Sequence, residues 1–332
     1  MIYRKIGETD LKCSVITFGA WAIGGWRWGG NDRRESVKAI VSAYEHGITS
    51  IDTAPAYGQG LSEEIIAEAL QQIPRDKVQI LTKYGLRWDT KEGEFWFSSK
   101  SVDGSDIDLY KLSSAKNIIE ECENSLRRLQ TDYIDLYQAH WPDSTTPVSE
   151  TMEAMIKLKE HGKIREAGVC NYSVSQMTKA GETYKLASDQ VPYSMILREI
   201  EKDLIPYSIE NKKSIIAYSP LQRGLLTGKI KPGHVFSEGD HRPGLPYFSA
   251  HNIEVVNKML DNLRPLADEK RATLAQLVLC WTINQPGITI ALAGARNEKQ
   301  AIENSKASDI KLTSKETEFI NKQLQTLSLA TI

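Results

Sequence analysis

With 332 residues, the chain is long enough for one large α/β barrel or two ordinary domains, and 41% hydrophobic with 25% charged residues is normal for a globular protein. Forty-one basic against 43 acidic residues leave no long-range field to gather nucleic acid or an anionic membrane. Four scattered cysteines (Cys13, Cys122, Cys170, Cys280) argue against a metal site or disulfide framework, and neither a signal peptide nor a membrane-spanning apolar run is present, so a cytoplasmic protein is expected.

Strand-like and helix-like segments alternate along the chain. Residues 1–12 read as a hairpin turning at Gly7-Glu8-Thr9-Asp10, followed by a strand at 15–18 and a Gly/Trp loop. A helix over 33–46 stops at Gly47, then come strand 48–52, helix 62–71, strand 78–82 and helix 113–129. Strand 132–139, helix 147–161 and strand 164–169 continue the series. The next helix is opened by Ser173 with Gln176 at its third position, a capping box. Strands near 189–191, 214–218 and 288–292 follow, with helices near 201–211 and 273–284 and one starting at Arg296-Asn297.

The count is eight strand–helix units, with no run of consecutive strands after the first hairpin. Several strands are apolar on both faces, as parallel strands covered by helices should be. This pattern predicts a (β/α)8 TIM barrel with an N-terminal β-hairpin, a doubly wound sheet being the rival. No linker divides residues 1–332, so one domain is expected. Residues 84–112 and 221–253, after barrel strands 3 and 7, are too long for simple connections and lie where barrel active sites are built.

Asp52, Lys83 and His140 each end a strand, and Tyr57 lies in the turn five residues after Asp52. If the strands are parallel neighbours, all four groups meet at one end of the sheet. A free tyrosine, with a pKa near 10, is a weak acid at neutral pH; a nearby ammonium lowers that value, and a carboxylate keeps the ammonium charged. Asp52, Lys83 and Tyr57 make such a relay, and His140 would orient a carbonyl oxygen beside the phenol. Each residue also has a plainer use, as turn cap, loop residue or satisfied buried histidine. Their joint placement is what favours proton transfer. Trp21, Trp88 and Trp141 would line an apolar substrate pocket above them.

The phosphate-binding signals are less direct. Gly58-Gln59-Gly60 lacks the third glycine of a dinucleotide-binding turn, and Gly224 through Lys229 is one residue short of a P-loop. The better anion site is the helix start at Gly294-Ala295-Arg296-Asn297 with Gln300 one turn on, where backbone N–H groups, the helix dipole and Arg296 converge. Asn297 with Gln300 is also an ordinary helix cap.

The ordered motifs Phe18-Gly19-Ala20-Trp21, Ile51-Asp52-Thr53-Ala54-Pro55-Ala56-Tyr57-Gly58, Leu81-Thr82-Lys83, Gln138-Ala139-His140-Trp141-Pro142, Gly168-Val169-Cys170-Asn171-Tyr172-Ser173 and Ala217-Tyr218-Ser219-Pro220-Leu221 resemble those of the aldo-keto reductases. The resemblance runs from Tyr3 to about Asn304 and is strongest to the bacterial general-stress and inositol-operon branch, related to potassium-channel β subunits. It implies a (β/α)8 barrel that binds NADP(H) and reduces aldehydes, ketones or sugar-like carbonyls, with Tyr57 as acid and Asp52, Lys83 and His140 completing a tetrad.

By the same resemblance Ala20, Trp21 and Asp52 border the cofactor. Asn171 and Gln190 hold the nicotinamide amide and Tyr218 stacks on its ring. Ser219, Leu221, Gly224 and Lys229 wrap the pyrophosphate, and Gly294, Arg296, Gln300 and Asn304 take the adenosine end. Gly294 and Gln300 stand where many relatives have a lysine and a second arginine, which brings NAD(H) in as an alternative cofactor. Cys170 replaces a serine before the amide-binding asparagine. The implied partner is a small carbonyl compound, with no metal, nucleic acid or membrane. Oligomeric state is not written in the sequence. A rival of another class is a cofactor-binding regulatory module with little turnover, and a third is a Schiff-base barrel using Lys83, which the neighbouring Asp52 disfavours.

Overall fold

A computed structural model describes residues 1–330. β1 (Tyr3–Lys5) and β2 (Lys12–Ser14) pair antiparallel, Tyr3 opposite Ser14, as the leading hairpin. The chain then enters β3 (Ile16–Gly19), β4 (Ser50–Asp52) and β5 (Gln79–Tyr84). After these come β6 (Leu86–Arg87), β7 (Glu94–Lys100) and β8 (Asp106–Lys111), which form a separate antiparallel sheet. β9 (Ile134–Ala139), β10 (Ile164–Cys170), β11 (Ser188–Pro192), β12 (Ser214–Tyr218) and β13 (Ile288–Gly294) complete the strands. Among the described residues, β3, β4, β5 and β9 through β13 close into a parallel barrel, sealed where Ala291 of β13 pairs with Ile16 of β3. Closure excludes the doubly wound rival.

The period-two alternation of parallel strands sorts the core into two layers. Leu81, Leu136, Ile216 and Ile290 point into the barrel, where Ile6, Leu11 and Cys13 of the hairpin join them. Gly7 N–H donates to Ser214 Oγ at 2.8 Å, so the hairpin plugs the N-terminal end of the barrel. Outward residues such as Ile51, Ile80, Tyr137 and Val169 pack beneath the helices in the larger apolar cluster. With one end plugged, the open rim is the C-terminal one, as in barrel enzymes generally.

Three expectations needed correction. The segment 84–112 is not strand-free: β6, β7 and β8 break the rule of no consecutive strands after the hairpin, because Asp103-Gly104 closes a tight turn between two alternating runs. The long connection after β12 ends at 249, where Ser249 caps a helix over Ala250–Glu269. Another helix, Ser314–Gln325, follows a full capping box at Thr313 and Glu316. The capping box at Ser173 and Gln176 forms as expected.

Candidate active site

Asp52 ends β4 and Lys83 lies near the end of β5, and parallel pairing of Asp52 with Leu81 brings their side chains together inside the rim. Lys83 Nζ donates to Asp52 Oδ1 at 2.7 Å and to the Thr53 carbonyl at 2.7 Å. Burying two charges is costly unless geometry and further hydrogen bonds compensate. Here the second carboxylate oxygen accepts from Gln190 Nε2 at 2.7 Å and from Gln138 Nε2 at 3.5 Å. Burial disfavours the Lys83 ammonium, but the groups around it, Asp52 foremost, together hold it above its ordinary value. A neutral Schiff-base nucleophile is the opposite of this state.

Tyr57 hangs over the pair from the turn after β4. Gly58 there has φ of 74°, and a Cβ on it would collide with the Gly24 carbonyl, so the two rim loops touch backbone to backbone. Lys83 Nζ lies 4.9 Å from the Tyr57 ring centre. His140 stands edge-on to the phenol at 5.7 Å, and Trp21 stacks on it at 6.1 Å.

Electrostatics overturn one expectation. Burial pushes the Tyr57 phenol up to about 12, and the Lys83 charge opposes this only in part. A low-dielectric surround penalises the phenolate more than one ammonium can compensate, since Asp52 already neutralises that ammonium. Burial, reinforced by Lys83, drives His140 well below its ordinary value, so its imidazole is neutral. The cluster is therefore a protonated phenol beside a neutral imidazole, above a buried ion pair.

A cavity of about 780 Å³ opens from these groups, within the usual range for ligand pockets. Asp52, Tyr57 and His140 reach it, and so do Ala20, Trp21, Trp141, Asn171, Gln190, Tyr218, Ser219, Leu221, Gly224, Lys229, Gly294, Arg296, Gln300 and Asn304. Lys83 lies one layer below. Trp88 does not line the cavity; it packs on the satellite cluster of Trp26, Ala56, Leu86 and Leu109, and Trp96 takes its place on the wall. Trp96, on β7, faces Trp141 with ring centres 4.7 Å apart, whereas Trp88 lies just past the end of β6.

The polar wall is pre-ordered. Asn171, held at φ 62°, accepts from the Tyr218 hydroxyl at 3.0 Å and donates to the His140 carbonyl at 3.1 Å. At the far end Asn297 caps the helix Glu298–Ser305, while Gln300 Oε1 accepts from the Arg296 N–H at 2.8 Å. The Arg296 guanidinium donates to the carbonyls of Trp28 and Gly30. Gln138, Arg27, Arg223, His241 and Arg242 belong to the site region and were not singled out from the sequence. Gln138 left a signal: an uncharged polar residue inside an apolar buried strand needs a partner. The three arginines and the histidine sit in loops without regular periodicity and left none.

The aldo/keto reductase family profile matches residues 15–324, and the chain belongs to that family. Its members are nicotinamide-dependent oxidoreductases acting on carbonyl compounds. The chain is 39% identical to the Bacillus subtilis aldo-keto reductase YhdN, covering 98% of this chain and 94% of that protein. It is 36% identical to an Escherichia coli NADH-specific methylglyoxal reductase, covering 97% and 98%. A glycerol dehydrogenase from Gluconobacter oxydans superposes with a TM-score of 0.87 at 36% identity, covering 99% of this chain and 97% of that one.

Proposed function

We propose that residues 1–332 form one domain, a cytoplasmic NADP(H)-dependent reductase of small aldehydes, ketones or sugar-like carbonyls, with Tyr57 as general acid. The observation that carries this reading is the buried Lys83–Asp52 contact beneath Tyr57 and His140 at the cavity floor. The cavity suits the cofactor. Gln190 keeps its amide oxygen for a carboxamide while its nitrogen is bound to Asp52, and Tyr218 offers a ring in the wall. Burial, with the nearby Arg242 charge adding to it, disfavours the charged form of Arg296, a state that an added phosphate would relieve.

Bound nicotinamide supplies the hydride. The neutral His140 imidazole orients the carbonyl oxygen through an N–H, and the Tyr57 hydroxyl gives that oxygen its proton. Asp52 keeps Lys83 charged, so the phenol left without its proton faces an ammonium rather than bare hydrocarbon. Trp21, Trp96 and Trp141 keep water from the reacting carbon.

The test is Tyr57→Phe, assayed by NADPH oxidation with an aromatic aldehyde. We expect kcat to fall about 10³-fold, within the usual reach of general acid catalysis, with cofactor affinity nearly intact. Near-normal turnover removes Tyr57 as the acid.

A further inference from the structure

A second cavity, of about 520 Å³, opens at the opposite end of the barrel, beside the hairpin plug. Three parts of the chain meet in its wall. The hairpin brings Arg4 and Lys5, the helix Leu204–Glu210 and the turn after it bring Ser208, Lys212 and Lys213, and the segment 283–289 leads from there into β13. Among the described residues, four cations line this cavity and no carboxylate does.

Two of the four cations have no acidic partner among the described residues. Arg4 commits one nitrogen, Nη1, to the carbonyls of Ile283, Ile288 and Thr289 at 2.7, 3.0 and 3.1 Å. Those contacts fix the guanidinium and leave its Nε and Nη2 without a protein acceptor among the described residues. Lys213 Nζ donates to the Leu186 carbonyl at 2.7 Å. Burial disfavours the charge on both; at Lys213 the Lys185 ammonium adds to this and Glu8 offsets it only in part. Lys5 pairs with Asp10 at 3.0 Å and Lys212 with Glu8 at 3.1 Å, but neither acid lines the cavity, and Glu8 is shared with Lys185 at 2.6 Å. In a chain of net charge −2, such a basin concentrates anions locally.

An orphaned hydroxyl points to the same ligand. Ser208 is fully buried on the cavity wall, and its Oγ has no hydrogen-bond partner among the described residues. A helical serine ordinarily returns its hydroxyl to a carbonyl one turn back, and a buried one left unpaired forfeits its hydration. The lysines are not spent on capping this helix. Its carbonyls at Tyr207, Ser208 and Ile209 already accept from the backbone N–H groups of Asn211, Lys213 and Lys212. A fixed guanidinium, an ammonium and a free hydroxyl call for an anion with several acceptor oxygens. Two unpaired cations match two negative charges.

We propose that Arg4, Ser208 and Lys213 form a binding site for a phosphate dianion, free or carried as a monoester by a small metabolite. The ion would tie the hairpin to the helix Leu204–Glu210 and to the segment entering β13, and so stabilise the closed end of the barrel by mass action. This site lies apart from the catalytic rim and does not depend on the reductase reading.

The experiment titrates inorganic phosphate and glycerol 3-phosphate into the full chain by calorimetry. Saturating NADPH fills the cofactor cavity, and constant ionic strength holds general screening fixed. We expect one saturable site and a Tm that rises with phosphate concentration. Lys213→Gln and Ser208→Ala should each weaken binding about fivefold or more. Without phosphate, Ser208→Ala should be at least as stable as the native chain, because it removes an unpaired hydroxyl, so its loss of affinity reads the ligand contact and not the fold. Tighter binding of glycerol 3-phosphate assigns the site to a monoester, and tighter binding of inorganic phosphate assigns it to the free ion; either supports the proposal. No saturable binding, or an affinity unchanged in both variants, overturns it.

Discussion

Tyr57 and His140 define what the site can do at a given pH. Burial holds the phenol near 12 and the imidazole well below its usual value, so neither changes charge in the neutral range. A phenol that keeps its proton is a poor base and a ready donor to an oxygen becoming an alkoxide, which favours carbonyl reduction over alcohol oxidation. The expected outcome is a kcat for reduction that varies less than about threefold between roughly pH 6 and 9. A sigmoid within that window, in steady-state assays with saturating cofactor, would assign the proton to another group. Arg296 carries a second prediction at this scale. It is the cation at the helix start where a 2′-phosphate would lie, so Arg296→Ala should raise the Kd for NADPH about tenfold or more and that for NADH little. Equal losses would mean the phosphate is read elsewhere, and the NADH-specific Escherichia coli relative makes this comparison decisive.

Tyr57 is aimed by a backbone contact that involves none of the site's charges. The turn bearing Tyr57 is seated by the close approach of Gly58 and Gly24, where neither position has room for a methyl group. Gly58→Ala should therefore shift the phenol by a fraction of an ångström and lower kcat at least tenfold. Cofactor affinity should hold and Tm should fall by a few degrees; unchanged kcat in an assay of the folded variant would show that the glycine contact does not position Tyr57. Legibility in the sequence followed the same division. Strand ends bearing Asp52, Lys83 and His140 could be read because buried parallel strands are short apolar runs, and a charge at the end of one stands out. The β6–β8 sheet was legible in principle from its Asp103-Gly104 turn, and its aromatics drew attention away from their alternation. The helix Ala250–Glu269 carries Ile253, Val256, Leu260 and Leu263 on one face, but Pro265 within it argues against a helix on local grounds, and tertiary packing overrides that. Trp88 and Trp96 could not be told apart, because which aromatic of a long insertion meets the cavity is set by how the insertion packs on the rim and not by local pattern.

For the molecule as a whole, the barrel rim has to hold charge without water, and Glu121 shows the consequence for stability. It lies on the helix Ala115–Leu129 beneath the first residues of the β6–β8 insertion. One carboxyl oxygen accepts from the Gly85 N–H at 2.8 Å and from Asn117 Nδ2 at 2.6 Å, while the other has no partner among the described residues. Burial pushes this carboxyl up to about 7, against the pull of the Gly85 hydrogen bond and the Arg87 charge. In the unfolded chain a glutamate titrates near 4.3. Between these two values the folded protein keeps a proton that the unfolded chain has released, so stability falls as pH rises through that window. The contribution is fully present below about pH 4 and lost above about pH 7, amounting to something on the order of 3 kcal/mol. Glu121→Gln keeps the shape of the neutral acid and cannot ionise. Its stability, measured by urea denaturation, should match the native protein's near the acid end of that window and exceed it on the alkaline side. Parallel pH dependence in the two proteins would show that Glu121 is charged in the folded state, and that the Arg87 side of the rim compensates its burial.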